Sequence, residues 1–193
     1  AEKITPLMTR IMDATLVLHG EHTINASTFT AMVTSSTLAN ASQVVASAIG
    51  SLSGPLHGGA NEKVIAMLQK IESKEEIRPW LDDTLKAKNV VWGMGHREYS
   101  VKDPRANILT DMVQELFDER EGGVTDIFEK AIELEKACEE KLSHKGVYPN
   151  VDFYSGILYK EMDIPTDIFT PIFAMSRVSG WLAHWIEQIQ DNK

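Results

Sequence analysis

Residues 42–71 decide the fold and read SQVVASAIGSLSGPLHGGANEKVIAMLQKI. The first part, to about Leu52, is rich in Ala, Ser and Val, and such small residues let a helix approach its neighbour closely. Glycine and proline then crowd residues 53–59 and predict a turn. Four apolar residues beyond the turn recur at helical spacing: Val64, Ile65, Leu68 and Ile71. The stretch therefore predicts a buried helix, a turn and an amphipathic helix.

Apolar residues recur at three- and four-residue spacing along most of the remaining chain, and no alternating run is flanked by hairpin turns. Thr5 and Pro6 suit the start of a first helix, to about Leu18, because threonine caps free amides and proline fits the first turn. Further helices are predicted from about 26 to 40, from Asp103-Pro104 onward, from 125 to 143, from 150 onward, and from 166 to 190 with an early kink at Pro171. The sequence thus predicts an all-α fold.

Three of these helices carry a predicted buried face. The predicted inward residues are Leu7, Ile11 and Leu18 in the first helix, Ile108, Met112 and Leu116 after Pro104, and Ile127, Ala131, Leu134, Cys138 and Leu142 after Thr125. The chain has neither an internal repeat nor a low-complexity linker, so any domain boundary is expected in a glycine-rich turn.

Charge and composition argue against several classes of protein. The formal net charge is -9, from 28 acidic and 19 basic residues spread along the chain, which argues against binding to nucleic acid. No apolar run reaches the roughly 18 residues that a membrane helix needs, and the N-terminus lacks the order of a signal peptide. Cys138 is the single cysteine, which fits a reducing compartment. We therefore expect a cytoplasmic protein with neither nucleic acid nor membrane as a partner.

Four of the six histidines lie beside predicted helix breaks or among glycine, asparagine and acidic neighbours: His19, His22, His57 and His96. Taken singly, each also fits a hydrogen-bonded structural residue. His57 lies just before a helix, where the positive end of the helix dipole disfavours the imidazolium ion. A neutral imidazole can donate a hydrogen bond to a carbonyl oxygen while a base removes the neighbouring proton. His96 follows Gly93-Met94-Gly95, where bare backbone lets a ligand approach closely.

The accompanying base should be a carboxylate, and Asp152 is the best candidate. Pro149-Asn150 breaks the chain just before it, and Phe153 and Tyr154 should exclude water and raise the pKa of Asp152. The alternative is that Asp152 only caps the first turn of its helix.

Two arginines and two further histidines have weaker patterns. Arg105 and Arg177 are candidate clamps for a dicarboxylate, since a guanidinium fork matches a carboxylate in two places. Each of them also fits a surface ion pair. His144 is expected to be solvated, and His184 is expected to pack between two tryptophans.

Two rival chemistries are less well supported. His19 and His22 could share a helix face with Glu21 between them, but a zinc hydrolase uses ligands at four-residue spacing with a placed glutamate. Cys138 lies on an apolar stripe without a nearby histidine in sequence, which disfavours nucleophilic catalysis.

Four stretches together resemble the citrate synthase family, in order and in spacing, over essentially the whole chain. They are residues 18–29 (LHGEHTINASTF), 54–61 (GPLHGGAN), 93–105 (GMGHREYSVKDPR) and 149–156 (PNVDFYSG). The combination is far more specific than any one of its parts.

The resemblance implies an almost entirely helical homodimer that closes over its substrates. Residues 1–57 would be large-domain helices, residues 58–163 the small domain, and residues 164–193 a returning large-domain helix. The implied enzyme is a transferase of the tricarboxylic acid cycle that condenses acetyl-CoA with oxaloacetate to give citrate and CoA.

The resemblance also implies roles for single residues. His57 would polarise the thioester carbonyl, Asp152 would take the methyl proton, and His96 would polarise the ketone that the enol or enolate attacks. The residues implied to bind oxaloacetate are His22, Arg105 and Arg177. The positions implied to lie near CoA are Leu56, Val90, Gly93, Gly95, Lys145 and Asn150. The resemblance implies no metal and no permanently bound cofactor, with acetyl-CoA as a co-substrate.

Three departures from the family pattern bear on activity. Family members are about twice as long, and the chain ends at Lys193, before the arginine that the family supplies to a partner subunit's active site; we therefore expect little activity from these residues alone. Glu98 stands where an aliphatic residue is commoner, and Ser100 where a basic residue often meets a CoA phosphate.

Two other functions stay open at this point. One is 2-methylcitrate synthase using propionyl-CoA, because one methylene changes binding by only about 1–3 kcal/mol. The other is an inactive fragment that only binds CoA or assembles as a helical scaffold.

Overall fold

The computed structural model describes residues 4–54, 56–96, 101–119 and 123–191, and the regular elements in these ranges are helices. The α-helices are α1 Pro6–Gly20, α2 Ala26–Ser35, α3 Ala41–Leu52, α4 Ala60–Leu68, α5 Ile77–Lys86, α6 Pro104–Glu119, α7 Asp126–Leu142, α8 Val151–Glu161 and α9 Phe169–Gln190. Short 3-10 turns occupy Lys74–Glu76, Ser143–Lys145 and Thr166–Ile168. The predicted all-α fold class is confirmed. None of the helices in the described ranges is long and apolar enough to cross a membrane.

The chain divides into two compact units. Unit 1 consists of Ala1–Gly59 and Asp167–Lys193, and unit 2 is the continuous segment Ala60–Thr166. The predicted boundaries lie after residues 57 and 163, and the chain passes from one unit to the other after residues 59 and 166. That the units correspond to the large and small domains of a family stays a prediction.

Unit 1 is built around α9. Helices α1, α2 and α3 each pack against it, and α2 also packs against α3. One buried cluster of this unit consists of Ala31, Val44, Ala48, Leu52, Phe173 and Trp181. Small residues on α2 and α3 let these two helices approach, and Trp181 fills the remaining space with none of its surface exposed.

The crossing of α1 and α9 depends on small residues. A Cβ atom placed on Gly180 would lie 2.6 Å from the carbonyl oxygen of Gly20, so only glycine fits there. The last carbonyl groups of a helix have no partner within it. Two side chains of α9 donate to carbonyl groups near the end of α1. The Ser176 hydroxyl donates to the carbonyl of Leu16, and Arg177 Nε donates to the carbonyl of His19 at 2.6 Å. Side chains of α9 therefore hold the C-terminal end of α1.

Unit 2 is built around α8, whose residues are buried on almost every side. Helices α4 and α6 pack against α8, and α5 packs against α7. A Cβ atom on Gly156 would lie 2.8 Å from the carbonyl oxygen of Asn61, which brings the backbones of α4 and α8 together. Arg78 links α5 to α7 through ion pairs with Glu133 and Glu140, both at 2.6 Å.

Several local predictions need correction. Helix α2 ends at Ser35 rather than near residue 40, because the chain turns through Leu38 at a φ of 62° and Asn40 caps α3. The amphipathic helix after the first turn ends at Leu68, and Ile71 is buried beyond its end.

The three predicted buried faces are also partly wrong. In α6, Ile108 is 44% exposed and Met112 only half-buried; the buried residues are Ala106, Leu109, Val113, Leu116 and Phe117. A strict four-residue step turns 40° past the helix repeat each time, so alternating steps of three and four mark the true face. In the first helix, Leu18 is half-buried, and in α7 Ile127 is half-buried beside the fully enclosed Phe128.

Candidate active site

The predicted site residues are divided between the two units. Unit 1 carries His22, Leu56, His57 and Arg177. Unit 2 carries Val90, Gly93, Gly95, His96, Arg105, Lys145, Asn150 and Asp152.

His57 lies in a tight turn between α3 and α4. The N–H of Gly58 donates to the carbonyl of Leu52 at 2.8 Å, and a Cβ atom on Gly58 would lie 2.6 Å from that same oxygen. The N–H of His57 donates to the carbonyl of Gly54 at 3.0 Å. The turn therefore fixes the backbone on both sides of the half-buried His57 ring.

Ser27 determines which nitrogen of His57 carries the proton. The backbone N–H of Ser27 is 3.3 Å from His57 Nε2, and its hydroxyl oxygen is 2.8 Å from the same atom. A backbone N–H can only donate, so Nε2 accepts and the ring proton lies on Nδ1. Asn25 Oδ1 and the indole N–H of Trp181 also contact the Ser27 hydroxyl, at 2.8 and 3.2 Å, and hold it in place.

The His57 ring is neutral at ordinary pH. Burial, and next the positive charge of Arg177, lower the pKa of His57 to about 4. Burial and the charge of Arg177 account for the predicted neutrality in the structure, and a contribution from the dipole of α4 stays a prediction.

Arg177 is not a surface residue. Its side chain is buried, Nε donates to the carbonyl of His19, and the guanidinium lies 4.8 Å from the centre of the Phe173 ring. The alternative that Arg177 forms a surface ion pair is therefore wrong.

The other two histidines of unit 1 differ from each other. His19 is buried, with Nδ1 bonded to the carbonyl of Thr15 at 2.8 Å and its ring against Phe173. These contacts give His19 a structural role. His22 is half-buried in the loop between α1 and α2. Its part in substrate binding stays a prediction.

Two short segments of unit 2 pair to form what we call the seam, residues 93–95 and 148–150. Met94 and Pro149 form an antiparallel bridge, and the N–H of Gly95 donates to the carbonyl of Tyr148 at 2.7 Å. The N–H of Asn150 donates to the carbonyl of Gly93 at 2.9 Å. His96 follows one side of the seam directly, and Asp152 lies two residues beyond the other.

Both glycines of the seam have backbone angles that other residues avoid. Gly93 has a φ of 79° and Gly95 a φ of 86°. A Cβ atom on Gly93 would also lie 2.8 Å from Val64 and 2.9 Å from Phe153, whereas on Gly95 its nearest neighbour would be Val147 at 3.8 Å. Close packing explains Gly93, while the open space beside Gly95 fits the predicted approach of a ligand.

Asp152 is the second residue of α8 and is half-buried. The cap of α8 is Asn150, whose Oδ1 accepts from the N–H of Asp152 at 3.0 Å. The alternative that Asp152 is the cap of this helix is therefore wrong, and its role as a base stays a prediction. Phe153 and Tyr154 are fully buried in unit 2, and their predicted effect on the acidity of Asp152 stays a prediction.

Arg105 is held by a buried carboxylate. Asp103 is 1% exposed and contacts Arg105 through Nη2 at 2.7 Å and Nε at 3.1 Å. The N–H of Asp103 in turn approaches the carbonyl of Pro149 at 3.4 Å. One edge of the guanidinium is thus oriented by an internal ion pair. That the other edge binds a carboxylate of the substrate stays a prediction.

The predicted CoA positions differ in exposure. Leu56 is 90% exposed and Val90 is 62% exposed, which leaves both side chains accessible to a ligand. Lys145 is exposed in the turn after α7. The predictions for Glu98 and Ser100 lie outside the described residues.

The remaining chemical groups take no part in this site. Cys138 is fully buried, and burial together with the charge of Glu135 raises its pKa to about 12, so the thiol is unreactive. His144 is exposed as predicted. His184 is half-buried, and its Nε2 also lies 3.2 Å from Glu21 Oε1. In the described part of the chain, no three His, Cys, Asp or Glu side chains form a metal-type cluster.

Sequence reasoning missed the residues that support the site. Ser27 contacts His57, and Asn25 and Trp181 contact Ser27 in turn. Ser27 and Trp181 are 154 residues apart in sequence, and only the cap at Asn25 has a local signal. In unit 2, Glu135 accepts from the Tyr154 hydroxyl and pairs with Lys102 at 2.5 Å. Burial and the charge of Glu135 raise the pKa of Tyr154, which keeps it a donor.

Comparison with known proteins identifies the family of the chain. A protein-family model described as citrate synthase, C-terminal domain, matches residues 1–193. The chain belongs to the citrate synthase family. A citrate synthase of Synechocystis sp. is 55% identical over 188 residues, which cover 97% of this chain and 47% of that protein.

Solved citrate synthases have the same fold. The structure from Thermotoga maritima aligns with a TM-score of 0.90 at 40% identity, over 99% of this chain and 51% of that one. The structure from Thermoplasma acidophilum, a ternary complex with carboxymethyl coenzyme A and oxaloacetate, aligns with a TM-score of 0.91 at 36% identity, over 98% of this chain and 50% of that one. The chain spans about half the length of the relatives it matches.

Proposed function

We propose that the complete gene product is a transferase that condenses acetyl-CoA with oxaloacetate to give citrate and CoA. The observation that carries the proposal is the state of His57, a neutral ring whose Nε2 accepts from Ser27 and whose Nδ1 therefore carries the proton. Such a ring is suited to donate to a thioester carbonyl. The relative from Thermoplasma acidophilum, solved with carboxymethyl coenzyme A and oxaloacetate, supports the choice of substrates.

The first step is proton transfer from the methyl group of acetyl-CoA to the carboxylate of Asp152. The N-terminal end of α8 favours a negative charge, so Asp152 is ready to act as the base. His57 Nδ1–H donates to the thioester oxygen, where negative charge develops as the proton leaves. This division of labour between a carboxylate and a neutral imidazole forms the enol or enolate.

The second step forms the new carbon–carbon bond. The nucleophilic carbon attacks the ketone carbon of oxaloacetate, and His96 donates to the ketone oxygen as it becomes an alkoxide. The residues proposed to hold the oxaloacetate carboxylates and keto group are His22, Arg105 and Arg177. Water then cleaves the thioester of the condensed product and releases citrate and CoA.

The CoA moiety is proposed to lie along Leu56, Val90, Gly93, Gly95, Lys145 and Asn150. The exposure of Leu56 and Val90 and the open backbone at Gly95 support this placement. The reaction uses no metal and no permanently bound cofactor in this proposal.

The oligomeric state, cellular location and pathway are proposed from the family resemblance. We propose a cytoplasmic homodimer that acts in the tricarboxylic acid cycle. Large apolar side chains on the outer faces of α2 and α3 support assembly, since Phe29 is 61%, Val33 51% and Ile49 45% exposed. Light scattering on the complete gene product measures the oligomeric state, and a monomer at micromolar concentration would contradict this part.

A thiol-release assay on the complete gene product tests the reaction. Release of CoA is expected only when acetyl-CoA and oxaloacetate are both present, with citrate as the product by mass spectrometry. Faster release from propionyl-CoA would instead identify a 2-methylcitrate synthase. No release from either thioester, in protein that still binds CoA, would favour the inactive-fragment alternative.

A further inference from the structure

The side chain of Asn150 makes two bonds of opposite kind. Its Oδ1 accepts from the backbone N–H of Asp152 at 3.0 Å, and its Nδ2 donates to the backbone carbonyl of Gly95 at 2.8 Å. Its own backbone N–H donates to Gly93. One planar amide therefore joins the backbone of Asp152 to the carbonyl group that precedes His96.

Helix capping explains only half of this arrangement. The side-chain bonds of the other asparagine caps are to residues close in sequence. Asn40 exchanges two hydrogen bonds with Gln43, and Asn25 Nδ2 donates to the carbonyl of Thr23. Asn150 Nδ2 instead reaches a residue 55 positions away in sequence. Aspartate and serine cap helices as well as asparagine does. Neither provides an acceptor and an amide donor in one rigid group.

The geometry matters because of the two residues it connects. In the proposed function, Asp152 removes the methyl proton and His96 polarises the ketone that the resulting carbon attacks. A misplacement of about 1 Å can reduce the rate of such a reaction about 100-fold. The Asn150 amide bonds to Gly95, the residue before His96, and to the backbone of Asp152. It therefore joins the two segments of the seam where the chain continues to His96 on one side and to Asp152 on the other.

We propose that Asn150 is a positioning residue that sets the placement of His96 relative to Asp152, through Gly95. The proposal rests on the proposed function and gives Asn150 a second task beside its proposed contact with CoA. Loss of the Nδ2 donor then lowers kcat while the KM for oxaloacetate stays within about threefold, because no proposed contact with oxaloacetate is lost.

The test compares Asn150→Ser and Asn150→Asp with the control Asn40→Ser, all in the complete gene product. Both Asn150 variants keep an oxygen to cap α8 and lose the amide donor. Asn40→Ser changes an equivalent cap in unit 1, away from the site residues. We expect kcat to fall about 10- to 100-fold in both Asn150 variants. We expect the wild-type kcat in Asn40→Ser, with a similar small loss in Tm for the two serine variants.

The outcomes separate the possible roles. A rise in the KM for acetyl-CoA with kcat unchanged would mean that Asn150 acts only through its contact with CoA, and would overturn the proposal. Unchanged kcat with only a lower Tm would make Asn150 a simple cap, with the same consequence.

A second measurement does not depend on activity. Hydrogen–deuterium exchange of the amides of residues 93–96 should accelerate in Asn150→Ser and Asn150→Asp and stay unchanged in Asn40→Ser. Equal protection in all proteins would overturn the proposal. An inactive wild type with accelerated exchange in the Asn150 variants would mean that the proposed function has failed while the link across the seam exists.

Discussion

Single side chains divide the chemistry of the site between ionisation and orientation. Burial and Arg177 keep His57 neutral, and Ser27 selects its tautomer. Asp152 needs the opposite state, a negative charge, and lies at the helix end that favours one. The two residues proposed to act on acetyl-CoA are thus prepared by different surroundings.

The first prediction concerns Asp152. Asp152→Asn should lower turnover by about 10²–10⁴-fold, because an amide keeps the shape of the carboxylate but cannot take a proton. Oxaloacetate binding, measured by calorimetry, should be nearly unchanged. The control is Asp163→Asn just beyond α8, an exposed residue at a φ of 56°, where asparagine is well tolerated. Normal exchange of the acetyl-CoA methyl protons in Asp152→Asn would show that another group is the base.

The second prediction concerns the two arginines. Arg105→Leu and Arg177→Leu should each remove a charge-assisted contact worth about 1.5–3 kcal/mol, which raises the KM for oxaloacetate roughly 10- to 100-fold. Arg78→Leu, which breaks ion pairs between α5 and α7, is the control and should leave this KM unchanged. Unchanged KM values in both site variants would refute the assignment.

The third prediction concerns pH and the stability of the fold. In the unfolded chain His57 takes up a proton near pH 6.5, but in the folded protein only near pH 4, so protons favour unfolding between these values. The free energy of unfolding should therefore fall as pH is lowered through this window, by about 1–2 kcal/mol from this partly exposed group. Urea unfolding at several pH values should show a shallower fall in His57→Asn than in the wild type. Identical slopes would mean that His57 is charged in the fold or does not titrate.

Positions of the candidate residues could be predicted from sequence, but their supports could not. Glycine and proline around His57, His96 and Asp152 mark places where the chain turns and a side chain is freed from a regular face. The contact of Trp181 with Ser27 spans 154 residues, and no local pattern announces it. The sequence predicts Asp103 as a helix start but not as the ion-pair partner of Arg105. The Asp103 carboxylate in fact accepts both from the backbone N–H of Arg105 and from its guanidinium.

Among the elements, helix starts were predicted better than helix ends and faces. Thr5, Thr125 and Asn150 are caps in the structure, and each accepts a backbone N–H through its side chain. The end of α2 was missed, since Leu38 in a left-handed conformation has no compositional signal. Burial of the α6 face depends on which neighbour α6 packs against, and that neighbour, α8, is distant in sequence.

The fourth prediction concerns the crossing of α1 and α9. Gly180→Ala should destabilise the protein by about 1–3 kcal/mol, because its methyl group would press on the carbonyl of Gly20. Gly50→Ala is the matched control in α3, where a Cβ atom meets no other atom within 4 Å. That change should stabilise by about 0.4–1 kcal/mol through the unfolded state. Equal Tm shifts in the two variants would show that the crossing is looser than described.

At the scale of the whole molecule, neither unit holds a complete set of proposed residues. His57 and Arg177 belong to unit 1, while His96, Arg105 and Asp152 belong to unit 2. The proposed reaction therefore depends on both units, and damage confined to one of them should still abolish turnover.

The fifth prediction concerns residues 1–193 expressed by themselves. The helices should persist in circular dichroism, since both units have their own cores. Turnover should be several orders of magnitude slower than in the full-length Synechocystis relative, because this chain covers 47% of that protein and catalysis needs groups held within about 0.5 Å. Exposed apolar side chains should also cause self-association in size-exclusion chromatography. Turnover equal to the relative's by a compact monomer would contradict this expectation.

The division of the chain also sets an order for its synthesis. Unit 2 is one continuous segment that is complete when Thr166 has been made, whereas the core of unit 1 requires Phe173 and Trp181 from α9. Of the helices described, α1 to α3 leave the ribosome before the others, yet their core closes only after α9 emerges. We therefore expect residues 60–166 to become protease-resistant before residues 1–59, so that α1 to α3 wait for their packing partner and need a chaperone for longer during translation.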